Sequence, residues 1–531
     1  MRLGLTFLMI IPFLLFFVCQ KKFRKAPLII SIIIGLCSIT LFLQIPFDKA
    51  FYGFISKEWF VAQQLSDGLS LYKEIAWLYG PIPPFFNLFS NFLTQTSGPM
   101  GYLYSLILLN IIIIGFYGLY VKKESTSPGL LVALSIALNI YTLAGLSVGG
   151  SIYLLEVIFF ILLLLLDRSN IPRPKKYILQ GVVLGMAWLS KPLAPAMALI
   201  AFFIVDLLDD SDERFIPSLY RGISLFFVLL GSGLVMCLKG FDLSLVFRSL
   251  VPLYFSKYYQ TLNMQPLQNY LEVYYASFDL RYIILRIYYY ILPFSVLTAI
   301  VFALRSRPSK DFRKMALPLF FWILSFCLLW RQFDNHRPFD FLLILPVYLL
   351  LKDLEAKKKV IALLILGACL SPSFYLRAGN LTKSIGKSYK KLLGTKISDE
   401  SYQALDKLFL LSSKYKNLPQ LALGYGASFY GVTHQKPLWR HNNHLYSFES
   451  EKDVLDLSTH IKKKFLLIDI APNYDHTGLW HLFGREDFNT EKASFSTSPL
   501  KEELFKYLKN NSKLITEERT NNFRYSVFLI E

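Results

Sequence analysis

The chain has 531 residues, of which 54% are hydrophobic and 18% charged, with a formal net charge of +19. Its mean hydropathy of +0.42 is far from that of soluble proteins and places it among integral membrane proteins. The basic excess does not point to nucleic acid, because its largest clusters fall in short loops between apolar runs, where topology and anionic lipid account for them.

Apolar runs long enough to cross a hydrocarbon core of roughly 30 Å, about 20 helical residues, recur from Leu3 to about Leu376. Twelve are expected, near 3–19, 27–46, 101–121, 127–146, 151–166, 177–190, 193–208, 219–238, 283–304, 315–330, 339–351 and 360–376. They are continuously apolar, without the period-2 alternation of a membrane barrel, so helices are expected. The first reads as a retained span, because Gln20, Lys21 and Lys22 follow Cys19 and no small-residue cleavage site does.

The basic segments 21–25, 122–123, 168–176, 305–314 and 352–359 fall in alternate loops, which the positive-inside rule assigns to the cytoplasm. The acidic loop 209–214 fits that pattern least well. Segments 47–100, 147–150, 239–282 and 331–338, Lys191, and everything after about 376 are then expected on the extracytoplasmic side. The five cysteines lie in or beside the expected spans with no C-x-x-C spacing, which argues against a disulfide framework or zinc site.

After Tyr375 polar residues dominate, and the tail is long enough for a small domain of its own. Apolar spacing predicts helices over 398–414, 451–464 and 499–510, and strands over 418–426, 464–470, 513–519 and 523–530. The expected architecture is thus an all-α polytopic membrane domain, 1–376, with a small extracytoplasmic α/β domain, 377–531. GYGASFYG (424–431) has the wrong spacing for a phosphate-binding glycine loop and reads as a turn after a strand. His441 and His444 have metal-pair spacing but no third ligand nearby, so a polar surface loop is the preferred reading.

The long segment 47–100 carries the densest early group of carboxylates, Glu58, Asp67 and Glu74. Its apolar residues, including Trp59, Phe60, Leu65, Leu69, Leu71, Ile75 and Trp77, are expected to rest on the bilayer surface while the carboxylates face a cavity or solvent. YGPIPP (79–84) ends any preceding helix and stiffens the turn towards the next span. Polar side chains within lipid are costly, so Glu156, about a turn inside its span, is expected either to function or to bond across helices.

Glu58 with the run that follows it, and DGLSLYKEIAWLYGPIPPFFNLFS (67–90), resemble the first outer loop of GT-C membrane glycosyltransferases, especially family 39 and RgtA/B/C/D-like enzymes. GVVLGMAWLSKPLAP (181–195) resembles that family's segment of close-packing glycines followed by Lys-Pro, and RPFDFLLILPVYLLL (337–351) is more loosely similar to its late Arg…Pro helix. The resemblance implies a GT-C fold that transfers a sugar, hexosyl or pentosyl, from a polyprenyl-phosphate donor to a cell-envelope glycan, lipopolysaccharide, lipid or protein. It implies a site at the outer face of the inner membrane.

It implies Glu58 as general base, assisted by Glu74 in the YKE triplet, with Asp48 and Asp67 as further acidic candidates. The usual acidic pair is Lys57-Glu58 here, so lysine replaces its leading Asp. For the donor and its departing phosphate the resemblance points to Lys191, then Arg331, His336 and Arg337, with Lys57, Asp67 and Tyr79 also lining the substrate site. Headgroup contact or snorkelling is the alternative for each cation. No cofactor is implied and no metal set converges, though a single divalent ion bound with phosphate is compatible. The rival readings are an O-antigen ligase or polymerase-like enzyme and a non-enzymatic lipid-linked glycan transporter.

Overall fold

A computed structural model describes residues 47–52, 54–77, 79–124, 150–208, 215–251, 316–321, 388–424, 426–433, 435, 437–440, 451–461, 464–472, 499–520 and 523–531. These form two compact units. One takes 106–235 and parts of the chain up to 45 and from 266 to 385; the other takes 46–105, 236–265 and 386–531. The described residues are mostly helical, with a small sheet region near the C-terminus.

The first unit holds most of α4 (Gly98–Glu124), then α5 (Gly150–Asp167), α6 (Arg173–Trp188), α7 (Leu193–Leu208) and most of α8 (Ile216–Leu238). Three helices among the described residues are long and apolar enough to cross a membrane: Gly98–Tyr120, Gly150–Asp167 and Ile216–Leu238. The remaining expected spans are shorter here, as Ala194–Leu208 is, or fall largely or wholly outside the described residues. Helix α5 is buried on nearly every side, and its Phe160 packs at 5.1 Å from Phe321, which in turn meets Phe202 at 5.4 Å.

The glycines expected to allow close packing do so between α6 and α8. A Cβ on Gly181 would stand 2.5 Å from the Arg221 carbonyl oxygen, and one on Gly185 would stand 2.7 Å from Val228. That approach brings Arg221 inside the bundle, fully buried. Its Nε donates to Gln180 at 2.7 Å, its guanidinium pairs with Asp206 of α7, and it lies over the rings of Phe202 and Tyr177. A buried arginine is costly in such a place unless its charge is countered, and α7 supplies the carboxylate and α6 an acceptor.

The second unit begins with α1 (Lys49–Tyr52), α2 (Phe54–Ser66) and α3 (Ile82–Thr94), and also contains α9 (Leu243–Leu250). Its C-terminal part runs β1 (Tyr389–Leu392), β2 (Thr395–Ser398), α10 (Asp399–Lys414), β3 (Gln420–Gly424), α11 (Ala427–Thr433), α12 (Glu451–His460), β4 (Phe465–Pro472), α13 (Pro499–Asn510), β5 (Ser512–Arg519) and β6 (Phe523–Ile530). The main sheet has the order β3-β4-β6-β5, with β3 and β4 parallel and the other neighbours antiparallel. The expected helices and strands of this region are all present, with ends shifted by a few residues. Leu421, Phe465, Leu467, Phe528 and Ile530 of the sheet share a core with Leu457 and Ile461 at α12 and Leu504 and Leu508 of α13.

Two expectations need correction. YGPIPP starts a helix and does not end one: α2 already stops at Ser66, and α3 begins at Ile82 with Pro83 and Pro84 in its first turn, where the missing amide hydrogens have no intrahelical partner to lose. GYGASFYG turns after β3 as expected, but from Ala427 it is already helix, α11. Its Gly431 leaves room for the Trp59 indole, whose Cζ3 would lie 2.5 Å from an added Cβ.

Candidate functional site

The site is built on α2, a helix enclosed on several sides. Ser56, Lys57, Glu58, Trp59 and Phe60 are consecutive and all buried, a pattern that a helix lying on a surface does not give. Trp59 donates from Nε1 to the carbonyl of Ala50 at 2.7 Å, and Phe60 stacks on Tyr430 with centroids 6.1 Å apart. Ser428 of α11 donates to the carbonyl of Phe51. The aromatic side of α2 therefore packs on α11 and not on the bilayer surface, because a tryptophan of this size finds its seat over Gly431.

Glu58 is 0% exposed, and the Tyr102 hydroxyl donates to its Oε2 at 2.8 Å. Tyr102 sits in the second turn of α4, at the foot of an apolar span. Its neighbour Gly101 lies against the Asn91 side chain, and Asn87, Ser90 and Asn91 form a buried polar stripe on α3. α3 is thus turned with amides and a hydroxyl inward, while Phe85, Phe89, Phe92 and Leu93 are exposed. A carboxylate, a phenol, amides and hydroxyls are acceptors and donors suited to hydroxylated ligands.

The other carboxylates of this segment occupy different settings. Glu74 is exposed in the turn of the YKE triplet, and its Oε2 accepts from the backbone of Ser70 at 2.8 Å. Asp67 is exposed where α2 ends in a left-handed Gly68. Asp48 accepts from the amide of Ser398 at 2.7 Å and from its hydroxyl at 2.6 Å, which fastens the start of α10 to α1. Tyr79 is half-buried, its carbonyl accepting from Tyr72 and its ring edge-on to Trp77 at 5.6 Å.

A second buried polar cluster lies in the first unit. Lys191, in the turn between α6 and α7, donates to the Tyr153 hydroxyl at 2.6 Å and stands 3.8 Å from the centre of that ring. Glu156 follows Tyr153 by one turn on α5 and is 0% exposed. Burial pushes the Lys191 ammonium down to about 8, against the pull of the Glu156 carboxylate. Arg331, His336, Arg337, His441 and His444 lie outside the described residues.

Sequence reasoning missed Tyr102 and the Arg221–Asp206–Gln180 triad. Arg221 lies 15 residues from Asp206 and 41 from Gln180, which leaves no local signature. Among the described residues no group of three or more His, Cys, Asp or Glu could hold a metal ion. Comparison of the chain with protein-family models and with curated proteins finds no match to either.

Proposed function

We propose that this protein is an integral membrane glycosyltransferase that moves a sugar from a polyprenyl-phosphate donor to a hydroxyl of a cell-envelope glycan, lipid or protein, with inversion. The reading combines the order of GT-C-like segments in the sequence with one structural observation. Glu58, the carboxylate that the resemblance names as base, is completely buried and held by Tyr102 at 2.8 Å.

In this reaction Glu58 takes the proton of the acceptor hydroxyl as that oxygen attacks the anomeric carbon. The bond from the anomeric carbon to the phosphate oxygen breaks on the opposite face, and polyprenyl phosphate departs with the bonding electrons. General-base assistance of this kind contributes typically 10²–10⁴ in rate. Tyr102 fixes the carboxylate's orientation, which matters because proton transfer requires the base within hydrogen-bond reach of the acceptor. The exposed Glu74 and Asp67 lack that dehydrated setting. The reaction belongs at the outer face of the cytoplasmic membrane, the side on which the charge pattern of the loops places residues 47–100.

The test is sugar transfer from polyprenyl-phosphate donors by purified protein in lipid, with Glu58→Gln beside the wild type. Loss of transfer in the variant supports the reading. Full transfer in the variant removes Glu58 as base, and lipid movement without any transfer favours a transporter.

A further inference from the structure

Helix α3 has its polarity reversed. Phe85, Phe89, Phe92 and Leu93 recur on one side at three-to-four spacing and are 46% to 79% exposed, while Asn87, Ser90 and Asn91 on the other side are buried. The helix carries no charged residue. A contiguous aromatic face of this kind is matched to hydrocarbon and not to water.

Its place in the chain says which hydrocarbon. α3 ends at Thr94, and the span Gly98–Tyr120 begins four residues later. The 23 residues of that span are about 34 Å long, little more than a hydrocarbon core of roughly 30 Å, so Gly98 stands at a bilayer interface. Gln95, left-handed at φ 49°, turns the chain, Thr96 donates its amide to the Asn91 carbonyl at 3.1 Å, and a Cβ on Gly101 would run into the Asn91 side chain. The last turn of α3 is thereby locked against the first turn of α4, at the depth where lipid begins. α9 repeats the arrangement beside another span: it starts five residues after Ile216–Leu238 ends and exposes Leu243 and Phe247, one turn apart.

The β1–β2 hairpin brings charge to the same end of α4. Leu393 and Gly394 both take a left-handed φ, as a two-residue hairpin turn requires, and a Cβ on Gly394 would lie 3.6 Å from the Cβ of Met100 in the first turn of α4. Lys391 is paired directly opposite Lys396 across the hairpin. Like charges so placed are destabilising, and an anion between them relieves the repulsion. The nearby Asp399 and Glu400 lie in the first turn of α10, where the helix dipole engages them.

We propose that α3 and the β1–β2 hairpin form one membrane-docking surface that seats the second unit on a bilayer of anionic phospholipid, with the α3 phenylalanines among the acyl chains and Lys391 and Lys396 on the headgroup phosphates. The lipid contact expected of Trp59 and Phe60 thus belongs to a different helix of the same segment. Docking through α3 also sets the depth of the unit that holds Glu58. The surface stands whether or not the protein transfers sugar.

The experiment introduces p-benzoylphenylalanine at one position at a time in the full chain, in vesicles of equal phosphatidylglycerol and phosphatidylcholine, and identifies the photo-adducts by mass spectrometry. Phe89→p-benzoylphenylalanine, Phe92→p-benzoylphenylalanine and Phe247→p-benzoylphenylalanine are expected to give lipid adducts. Leu410 is 66% exposed on α10 but stands one turn from the exposed Lys407–Glu518 pair, and the same change there is expected to give none. Adducts from α3 to another segment of this chain or to a second copy in place of lipid overturn the proposal, as does equal lipid labelling at Leu410.

A second arm tests the lysines with Lys391→Gln and Lys396→Gln together. At Phe92 phosphatidylglycerol adducts are expected to exceed phosphatidylcholine adducts, and the ratio is expected to fall by about twofold or more in the double variant. Removing two opposed like charges is expected to leave Tm unchanged or raise it, so a lost preference is not unfolding. A ratio of one in the wild-type hairpin, or a ratio unchanged in the double variant, overturns the headgroup contact.

Discussion

The hydroxyl of Tyr102 donates to Oε2 of Glu58 at 2.8 Å, joining two residues 44 positions apart into one buried unit. The partner is a phenol, which orients a carboxylate without cancelling its charge. An arginine in that position would hold the carboxylate more firmly and leave it a poorer base.

Tyr102→Phe keeps the ring and removes this donor. Hydrogen bonds to charged groups contribute about 1.5–3 kcal/mol, so kcat/KM for sugar transfer is expected to fall by roughly tenfold or more. The loss is expected mainly in kcat, because orientation of the base is used in the chemical step. A Tyr102→Phe enzyme with unchanged kcat shows that the contact is structural only.

Gly181 and Gly231 lie on facing helices of the first unit but in different surroundings. An added Cβ meets the Arg221 carbonyl at Gly181 and open space at Gly231. Gly181→Ala is expected to cost about 1–3 kcal/mol through overpacking, whereas Gly231→Ala is expected to be neutral or slightly stabilising. Thermal melts of both variants in detergent check the contrast.

The Arg221–Asp206 pair predicts a characteristic non-additivity. Removing one partner, as in Asp206→Ala, leaves an uncompensated buried charge and is expected to cost about 3–5 kcal/mol. Replacing both, with Arg221→Met and Asp206→Leu together, is expected to recover most of that loss. Chemical denaturation of the two variants distinguishes the cases, and additive losses contradict the account.

Asp242 caps α9 by accepting from the amides of Ser244 and Leu245, and pairs with Arg440 at 3.0 Å. Partial burial pushes its carboxyl upward, but Arg440 and the two amides outweigh that push and hold it below the usual carboxylate range. A depressed carboxyl stabilises the fold above its unfolded pKa of about 3.9, and that contribution fades as pH falls through the lower folded value. The protection of backbone amides at 242–246 and of Ala76, which donates to the Arg440 carbonyl, is expected to decline below about pH 4 in wild type. Asp242→Asn is expected to show that lower protection already at neutral pH, with less further loss on acidification, by hydrogen exchange.

The C-terminal part was the most legible from sequence. KFLLIDI and FRYSVFLI are short runs bounded by polar residues, and they became adjacent antiparallel strands because local pattern and burial agree there. The close-packing role of Gly181 and Gly185 was also readable, through the resemblance of 181–195 to a segment with close-packing glycines. The seat of α2 was not. Trp59 and Phe60 look the same in sequence whether they meet lipid or protein, and only Gly431, some 370 residues away, decides between them. Nor could proline chemistry alone tell a helix-ending turn from the helix start that 79–84 in fact is. Glu58 was identifiable as a candidate, while its hydrogen-bond partner depends on how α4 meets α2.

The most direct test of the central claim is single-turnover transfer from a polyprenyl-phosphate sugar donor by wild type and Glu58→Gln, with folding matched by thermal melts. The account predicts that the chemical step slows by roughly 10²–10⁴ in the variant while donor binding is retained. A variant that transfers sugar at the wild-type rate contradicts it.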